Sequence, residues 1–320
     1  MLSRVADNLY WMSRYLERAE HTSRLLDVNL HQMLDQTPES SGQRWDRLLA
    51  GLGVPPSDAA TADPYRITQM LTVDASMPTS IAACVAAARD NARQVWEQIS
   101  SEMWEQINRL YLAMKDTNMD RIWLEEPHAF FAAIKEGIHL FQGITDATMS
   151  HGEAWHFIQV GRYIERARAT AVLLDVHFTP LLLDKSGAEM SYLEWIGLLK
   201  SCSGFEAYVK VYDAGVQPET IAAFLLLDAQ FPRSIRFAAT SIQDALHAIA
   251  GGRGPARPNR LAGRLRAALD YSQIDEVLGD DVHAYLEFIQ KQCDQIHAAI
   301  YQAYIGYPVG AALAAHRRAV

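Results

Sequence analysis

Two sets of arginines and glutamates in this chain have the types and spacing for anion chemistry. Arg14 and Glu17 are three residues apart and Arg14 and Arg18 four, so in a helix their side chains gather on one side. The set returns 148 positions later as Arg162, Glu165 and Arg166. Ten of the fifteen positions from Arg14 to Val28 are identical in the copy from Arg162 to Val176, including Thr22 and Leu25-Leu26-Asp27-Val28 as Thr170 and Leu173-Leu174-Asp175-Val176. Guanidinium groups present paired, directional donors to carboxylate or phosphate. Arg14, Glu17, Arg18, Arg162, Glu165 and Arg166 are therefore candidate residues for binding an anionic ligand, with either glutamate orienting an arginine or acting on a proton. The same types also form ion pairs that lock helices together. If the two helices pack about a pseudo-twofold axis, four arginines and two glutamates converge.

Other polar groups form weaker constellations. Asp146, His151, Glu153 and His156 cluster before the second copy, as secondary candidates for a polar site or as caps of a helix boundary. Their spacing matches no zinc motif, so no metal ligand is assigned. His128 and His139 have no paired catalytic group nearby in sequence. Arg89 and Arg93 form a one-turn pair whose counterparts, 154 positions on, are Gln243 and His247; this marks either a site kept in one half or a solvated face. Arg253, Arg257, Arg260, Arg264 and Arg266 lie in a run from Gly251 to Arg266 that contains no acidic residue, a candidate surface for docking a partner. Neither a phosphate-binding Gly-x-x-x-x-Gly-Lys-[Ser/Thr] loop nor a Gly-x-Ser-x-Gly nucleophile elbow occurs, so neither ATP hydrolysis nor a serine triad has sequence support.

Helices must position these groups. Leu9, Met12, Leu16, Ala19, Leu26 and Leu30 recur at three- and four-residue spacing and predict a helix from about 5 to 34. A loop is expected over 55–64. Further helices are expected near 45–49, 79–99, 101–117, 129–148, 152–178, 188–212, 217–228, 232–249, 260–277 and 280–305, with no alternating strand pattern. A second internal match pairs Asp74-Ala75-Ser76-Met77-Pro78-Thr79-Ser80-Ile81 with Asp228-Ala229-Gln230-Phe231-Pro232-Arg233-Ser234-Ile235, each proline suiting the first turn of a helix. Trp45 with Leu48-Leu49 matches Trp195 with Leu198-Leu199. The matches keep their order, which predicts an all-α multi-helix bundle of two related helical units, 1–128 and 129–320, packed as one compact domain.

Composition bounds the function. The 320 residues carry a net charge of −9 and three widely spaced cysteines, which argues against general nucleic-acid binding and against a disulfide framework. Early charges exclude a secretory signal in the opening segment and no apolar run suits a membrane span; a cytoplasmic location is the default expectation.

The opening Leu2-Ser3-Arg4-Val5-Ala6-Asp7-Asn8-Leu9-Tyr10-Trp11-Met12-Ser13-Arg14-Tyr15-Leu16-Glu17-Arg18-Ala19-Glu20 closely resembles the bacterial alpha-E protein family. The resemblance runs across essentially the whole chain, through Asp146-Ala147-Thr148-Met149, the second Arg162-to-Ala167 motif and Phe231-Pro232-Arg233-Ser234-Ile235. It implies an all-helical fold. It also implies gene neighbourhoods shared with circularly permuted ATP-grasp proteins and transglutaminase-like proteins, but transfers no catalytic set. The expectation is a non-catalytic partner or scaffold subunit of an ATP-grasp-like carboxylate–amine ligase system. ATP and a divalent cation would bind the partner, with no cofactor in the isolated chain; a homo-oligomer is compatible with this. The alternative is a helical enzyme or small-molecule binding protein that uses the repeated Arg/Glu site for an anionic substrate.

Overall fold

Leu9, Met12, Leu16, Ala19, Leu26 and Leu30 are all buried, and they lie on the long first helix, α1 (Ser3–Leu34). The second motif copy lies on a helix of nearly equal length, α8 (Glu153–Leu183). The two helices pack on one another at the centre of the fold. Their approach is close at Gly161, where an added Cβ would stand 2.3 Å from the Tyr10 carbonyl oxygen and 2.2 Å from Ser13 Oγ. Ser13 is the Gly161 counterpart, and its hydroxyl donates to Tyr10 O within its own helix. Small residues at the crossing let the charged positions on either side face each other.

The computed structural model describes residues 1–34, 41–55, 63–183, 192–213, 215–251, 256–279 and 281–306. Among the described residues the chain is all α, with fifteen helices and no strand. Between the long helices run α2 (Ser41–Gly51), α3 (Pro64–Val73), α4 (Ile81–Gln94), α5 (Ser101–Lys115), α6 (Met119–Leu124) and α7 (Pro127–Thr148). After α8 come α9 (Tyr192–Ser201), α10 (Phe205–Tyr212), α11 (Pro218–Leu227), α12 (Ile235–Ala250), α13 (Arg257–Tyr271), α14 (Ile274–Gly279) and α15 (Val282–Ile300). Packing follows the same scheme on both sides. α1 contacts α4 and α7 while α8 contacts α12 and α15; α4 packs on α5 as α12 packs on α13. The short second helices are exchanged, α2 lying on α8 and α9 on α1. The break expected at 128/129 falls inside the first turn of α7, which packs on α1, α5 and α6.

Several boundaries differ from expectation for local reasons. Ser80 and Ser234 cap α4 and α12 by accepting from Ala83 N and Phe237 N. Pro78 and Pro232 therefore shape the preceding turns instead of entering the helices. Each cap hydroxyl also donates back to a carbonyl six residues earlier, Ser80 to Asp74 O at 2.7 Å and Ser234 to Asp228 O. The helix expected over 188–212 is broken in its described part at Ser203, whose φ is +49°, and Gly204; residues 184–191 lie outside the described residues, as does most of the expected 55–64 loop. Among the described residues no helix is long and apolar enough to cross a membrane.

Candidate functional site

The α1–α8 crossing brings the two motifs together and exchanges their partners. Glu17 of the first copy receives Arg166 of the second, Nε at 2.6 Å and Nη2 at 2.8 Å. Glu165 of the second receives Arg18 Nε at 2.7 Å and Arg14 Nε at 2.7 Å. Each Glu-Arg dipeptide is thus neutralised by the other, across the helix interface. Arg162, the Arg14 counterpart, does not join them: it is buried, lies 3.8 Å from Asp146, and among the described residues leaves Nη2 without a partner. Three of the four expected arginines converge on the two glutamates.

Glu17 is sealed. Arg233 adds a contact at 3.2 Å and Gln142 donates at 3.3 Å, so that both carboxylate oxygens are shared between donors from α7, α8 and the turn before α12. Arg233 also reaches Glu20 at 3.0 Å, and Glu20 pairs with Arg24 one turn along α1. Burial disfavours the ionised form of Glu17, but Arg166 and Arg233 outweigh it and lower its pKa to about 2. Burial likewise opposes ionisation of Glu165, and Arg14 and Arg18 overcome it. Both glutamates are fixed carboxylates at neutral pH. His21 is held neutral, burial and the neighbouring Arg24 lowering its pKa to about 3.

Glu165 is open by contrast. A cavity of about 360 Å³ is lined by Arg14, Arg18, His21, Thr79, Glu165 and Arg168, among others. The asymmetry has a residue-level cause. Thr79 and Arg233 occupy equivalent places in the turns before α4 and α12, and each offers its carbonyl to a motif threonine, Thr79 O to Thr22 and Arg233 O to Thr170. The Arg233 side chain fills the space beside Glu17; the short Thr79 leaves the corresponding space beside Glu165. Arg168 and Asp294, paired at 3.2 Å, border the cavity where Glu20 and His139 stand at 3.4 Å on the sealed side. The long helix contributes the acid, Glu20, on the sealed side and the base, Arg168, on the open side.

Polar groups at the cavity lack partners. Arg24 has only hydrogens to give, so the 3.1 Å contact to His21 Nδ1 makes that nitrogen the acceptor and puts the proton on Nε2. Among the described residues, buried Nε2 finds no partner, and neither does Thr79 Oγ1. Arg18 spends Nε on Glu165. Arg14 packs over the Trp11 ring at 4.6 Å and donates to Tyr10 Oη at 3.2 Å. This wall carries donors suited to a carboxylate or phosphate.

The secondary candidates lie elsewhere. Asp146 accepts from Trp155 Nε1 at 3.1 Å and Gln159 Nε2 at 3.2 Å, and His151 stacks on Trp155. These contacts fasten the α7–α8 turn, while the exposed Glu153 takes the Met1 ammonium at 2.9 Å and the half-buried His156 lies against the Trp155 ring. Arg89 donates to Asn108 at 2.7 Å and covers the Tyr111 ring, whereas Arg93 is exposed and pairs with Asp90; the two do not form one site. Arg253 lies outside the described residues. Arg257, Arg260 and Arg264 are exposed on α13, while Arg266 is engaged by Asp270 and Asp244.

Sequence reasoning missed Glu20, Arg24 and Arg233. Glu20 and Arg24 are one and two turns from Glu17 on α1, a spacing that was available. Arg233 was visible as the position where the second Pro-x-Ser turn departs from Thr79.

No solved structure matches the chain. An uncharacterized protein of Mycobacterium bovis is 27% identical over 306 residues, covering 88% of this chain and 34% of the relative. Uncharacterized proteins from two strains of Mycobacterium tuberculosis match over the same length at 27% and 26%. The chain spans about a third of the length of these curated relatives. A family model described as a predicted alpha-helical domain with a conserved ER motif matches residues 1–305, and Glu17-Arg18 and Glu165-Arg166 are two such dipeptides; the chain belongs to this family, Alpha-E.

Proposed function

We propose that this domain is a non-catalytic partner of an ATP-grasp-like carboxylate–amine ligase. Alpha-E domains are linked to circularly permuted ATP-grasp proteins. The observation that carries the non-catalytic reading is the exchanged Glu–Arg lock. Its carboxylates are held ionised by buried arginines, so neither is poised near neutral pH as a general acid. The three cysteines are no better nucleophiles: burial pushes Cys84 up to about 12, Cys202 to about 11 and Cys293 to about 12. ATP and its divalent cation then belong to the ligase, and the exposed arginines of α13 offer it a basic face. A transglutaminase-like protein is a second member of the proposed assembly.

The equivalent packing of α1–α7 and α8–α15 supports the two-unit reading, with the boundary in the α7–α8 turn at 149–152 instead of 128/129. The open half of the lock favours a second reading, a small-molecule role. The partnerless His21 Nε2 and Thr79 Oγ1 at the Glu165 cavity suit an anionic ligand that the partner would use or that the domain would sense.

The test is a mass-resolved pull-down of the purified chain with the neighbouring ATP-grasp and transglutaminase-like proteins, with and without ATP. The expected result is a stable complex with the ATP-grasp protein whose ligase turnover survives Glu165→Gln in this chain. No complex under either condition overturns the partner reading. Loss of turnover in an intact Glu165→Gln complex moves the chemistry into this domain.

A further inference from the structure

A second polar cluster lies near the C-terminal end of α1, away from the Glu–Arg lock. Asp27 Oδ1 is 2.9 Å from His128 Nδ1 on α7 and 3.4 Å from His31 Nδ1 one turn along α1. The two imidazole rings are only 3.5 Å apart between centroids. Lys135 occupies the other carboxylate oxygen at 2.5 Å, leaving Asp27 a single oxygen to offer. One ligand atom from each of Asp27, His31 and His128 lies within 4.8 Å of the other two. Ligand atoms around a tetrahedral zinc ion stand about 3.3 Å apart, as its bond lengths of about 2.0 Å require, and the two contacts to Oδ1 bracket that value.

The equivalent cluster in the second half separates the structural part of this arrangement from the rest. Asp175 Oδ1 meets His283 Nδ1 at 2.6 Å, and Asp175 Oδ2 accepts from Gln290 at 3.3 Å. His283 and Gln290 hold on α15 the places of His128 and Lys135 on α7. An Asp–His tie between the first and last helices of each unit is therefore common to both. The difference is at the third position, where Thr179 donates to Asp175 Oδ1 at 2.8 Å and His31 stands in the first unit. The tie accounts for His128, and a bond of 2.8 Å to the Asp27 carbonyl oxygen holds His31 Nδ1; what has no counterpart in the second unit is a second imidazole within 3.4 Å of the same carboxylate oxygen.

We infer that Asp27, His31 and His128 form a binding site for one divalent first-row transition-metal ion, held by two imidazoles and one carboxylate oxygen. This donor set suits zinc, iron or cobalt and leaves coordination positions open for water or a ligand. To bind the ion, each ligating nitrogen must be unprotonated; the Nδ1 protons that His31 gives to the Asp27 carbonyl oxygen and His128 to Asp27 Oδ1 move to Nε2 of each neutral ring as the metal enters, so no net redox or covalent change is involved. A cavity of about 340 Å³ adjoins the site, lined by Asp27 and His31 together with Arg24, Lys135, Lys200 and Glu206. The cationic side chains there suit an anionic ligand of the metal. Sequence spacing gave no reason to expect this, since His128 is 101 positions from Asp27 and only the α1–α7 packing unites them.

The inference is independent of the partner reading and is tested on the full chain without a polyhistidine tag. The protein is stripped with chelator, then equilibrated by dialysis with Co²⁺ or Zn²⁺ in separate samples. Retained metal is measured by elemental analysis, and ligand-field absorption is recorded for Co²⁺. Wild type is expected to keep one equivalent. His31→Thr, which reproduces the second unit at an exposed position, should lower affinity about 100-fold or more, since even outer-shell changes cost 10- to 100-fold. His283→Gln should leave binding unchanged, with circular dichroism confirming that both variants fold. Failure of wild type to retain either ion, or equal retention by His31→Thr, overturns the site.

Discussion

Glu17 and Glu165 sit in identical dipeptides on pseudo-equivalent helices, yet one is enclosed and the other borders a cavity. Both are neutralised by an arginine from the opposite copy. What differs is the residue in the neighbouring turn: Arg233 closes the Glu17 side, and Thr79 leaves the Glu165 side open. The two copies therefore share the lock, while one turn position, with Glu20 in one copy and Arg168 in the other, leaves a cavity beside only one of its glutamates.

The comparison breaks most sharply at Arg233. Arg233→Thr leaves Glu17 and Glu20 short of a buried cation and is expected to cost about 3–5 kcal/mol in denaturant unfolding, the range for breaking a buried pair. Glu165→Gln should cost about 1–2 kcal/mol, because the cavity lets water reach the freed arginines. Equal losses would show that the two sides are energetically alike.

Acid sharpens the comparison next. His21 titrates near 6.5 when unfolded and at about 3 when folded, and His177 is lowered by burial to about 4. The unfolded chain takes up these protons first, so stability starts to fall as pH drops through 6.5. Glu17, ordinarily near 4.5 and lowered to about 2, contributes stability that is complete above 4.5 and is lost as pH falls toward 2. Melting temperature against pH should bend twice. His21→Gln should flatten the upper limb and spare the lower one.

The smallest effect on stability and the most selective readout belong to Arg18. Its side chain is 22% exposed, so Arg18→Met should cost at most about 1 kcal/mol. Millimolar inorganic phosphate should raise the melting temperature of wild type, by linkage, and not that of Arg18→Met. A phosphate response unchanged in the variant would remove the cavity from consideration as an anion site.

Much of the scaffold was legible because its signals are local. The apolar period of α1 and the order of the repeats follow from helical geometry and were readable residue by residue. Ser80 and Ser234 show the limit of such reading, since the capping serine, not the proline, sets the helix start. Glu20 and Arg24 were within two turns of Glu17 yet gave no signal of their own, for a charge at that spacing is equally at home in solvent. His128 had no paired group nearby in sequence, and only the packing of α7 against α1 supplies one, Asp27.

By itself the sequence determined an all-helical chain of two related halves, each presenting the same Arg/Glu face, because period, caps and identity are properties of short segments. Only tertiary structure decided which glutamate faces which arginine, that Arg162 turns away to Asp146, and that Asp27 meets two histidines. Those outcomes depend on how closely α1 approaches α8 at Gly161 and on which side chain fills each remaining space, and no helix carries that information within its own period.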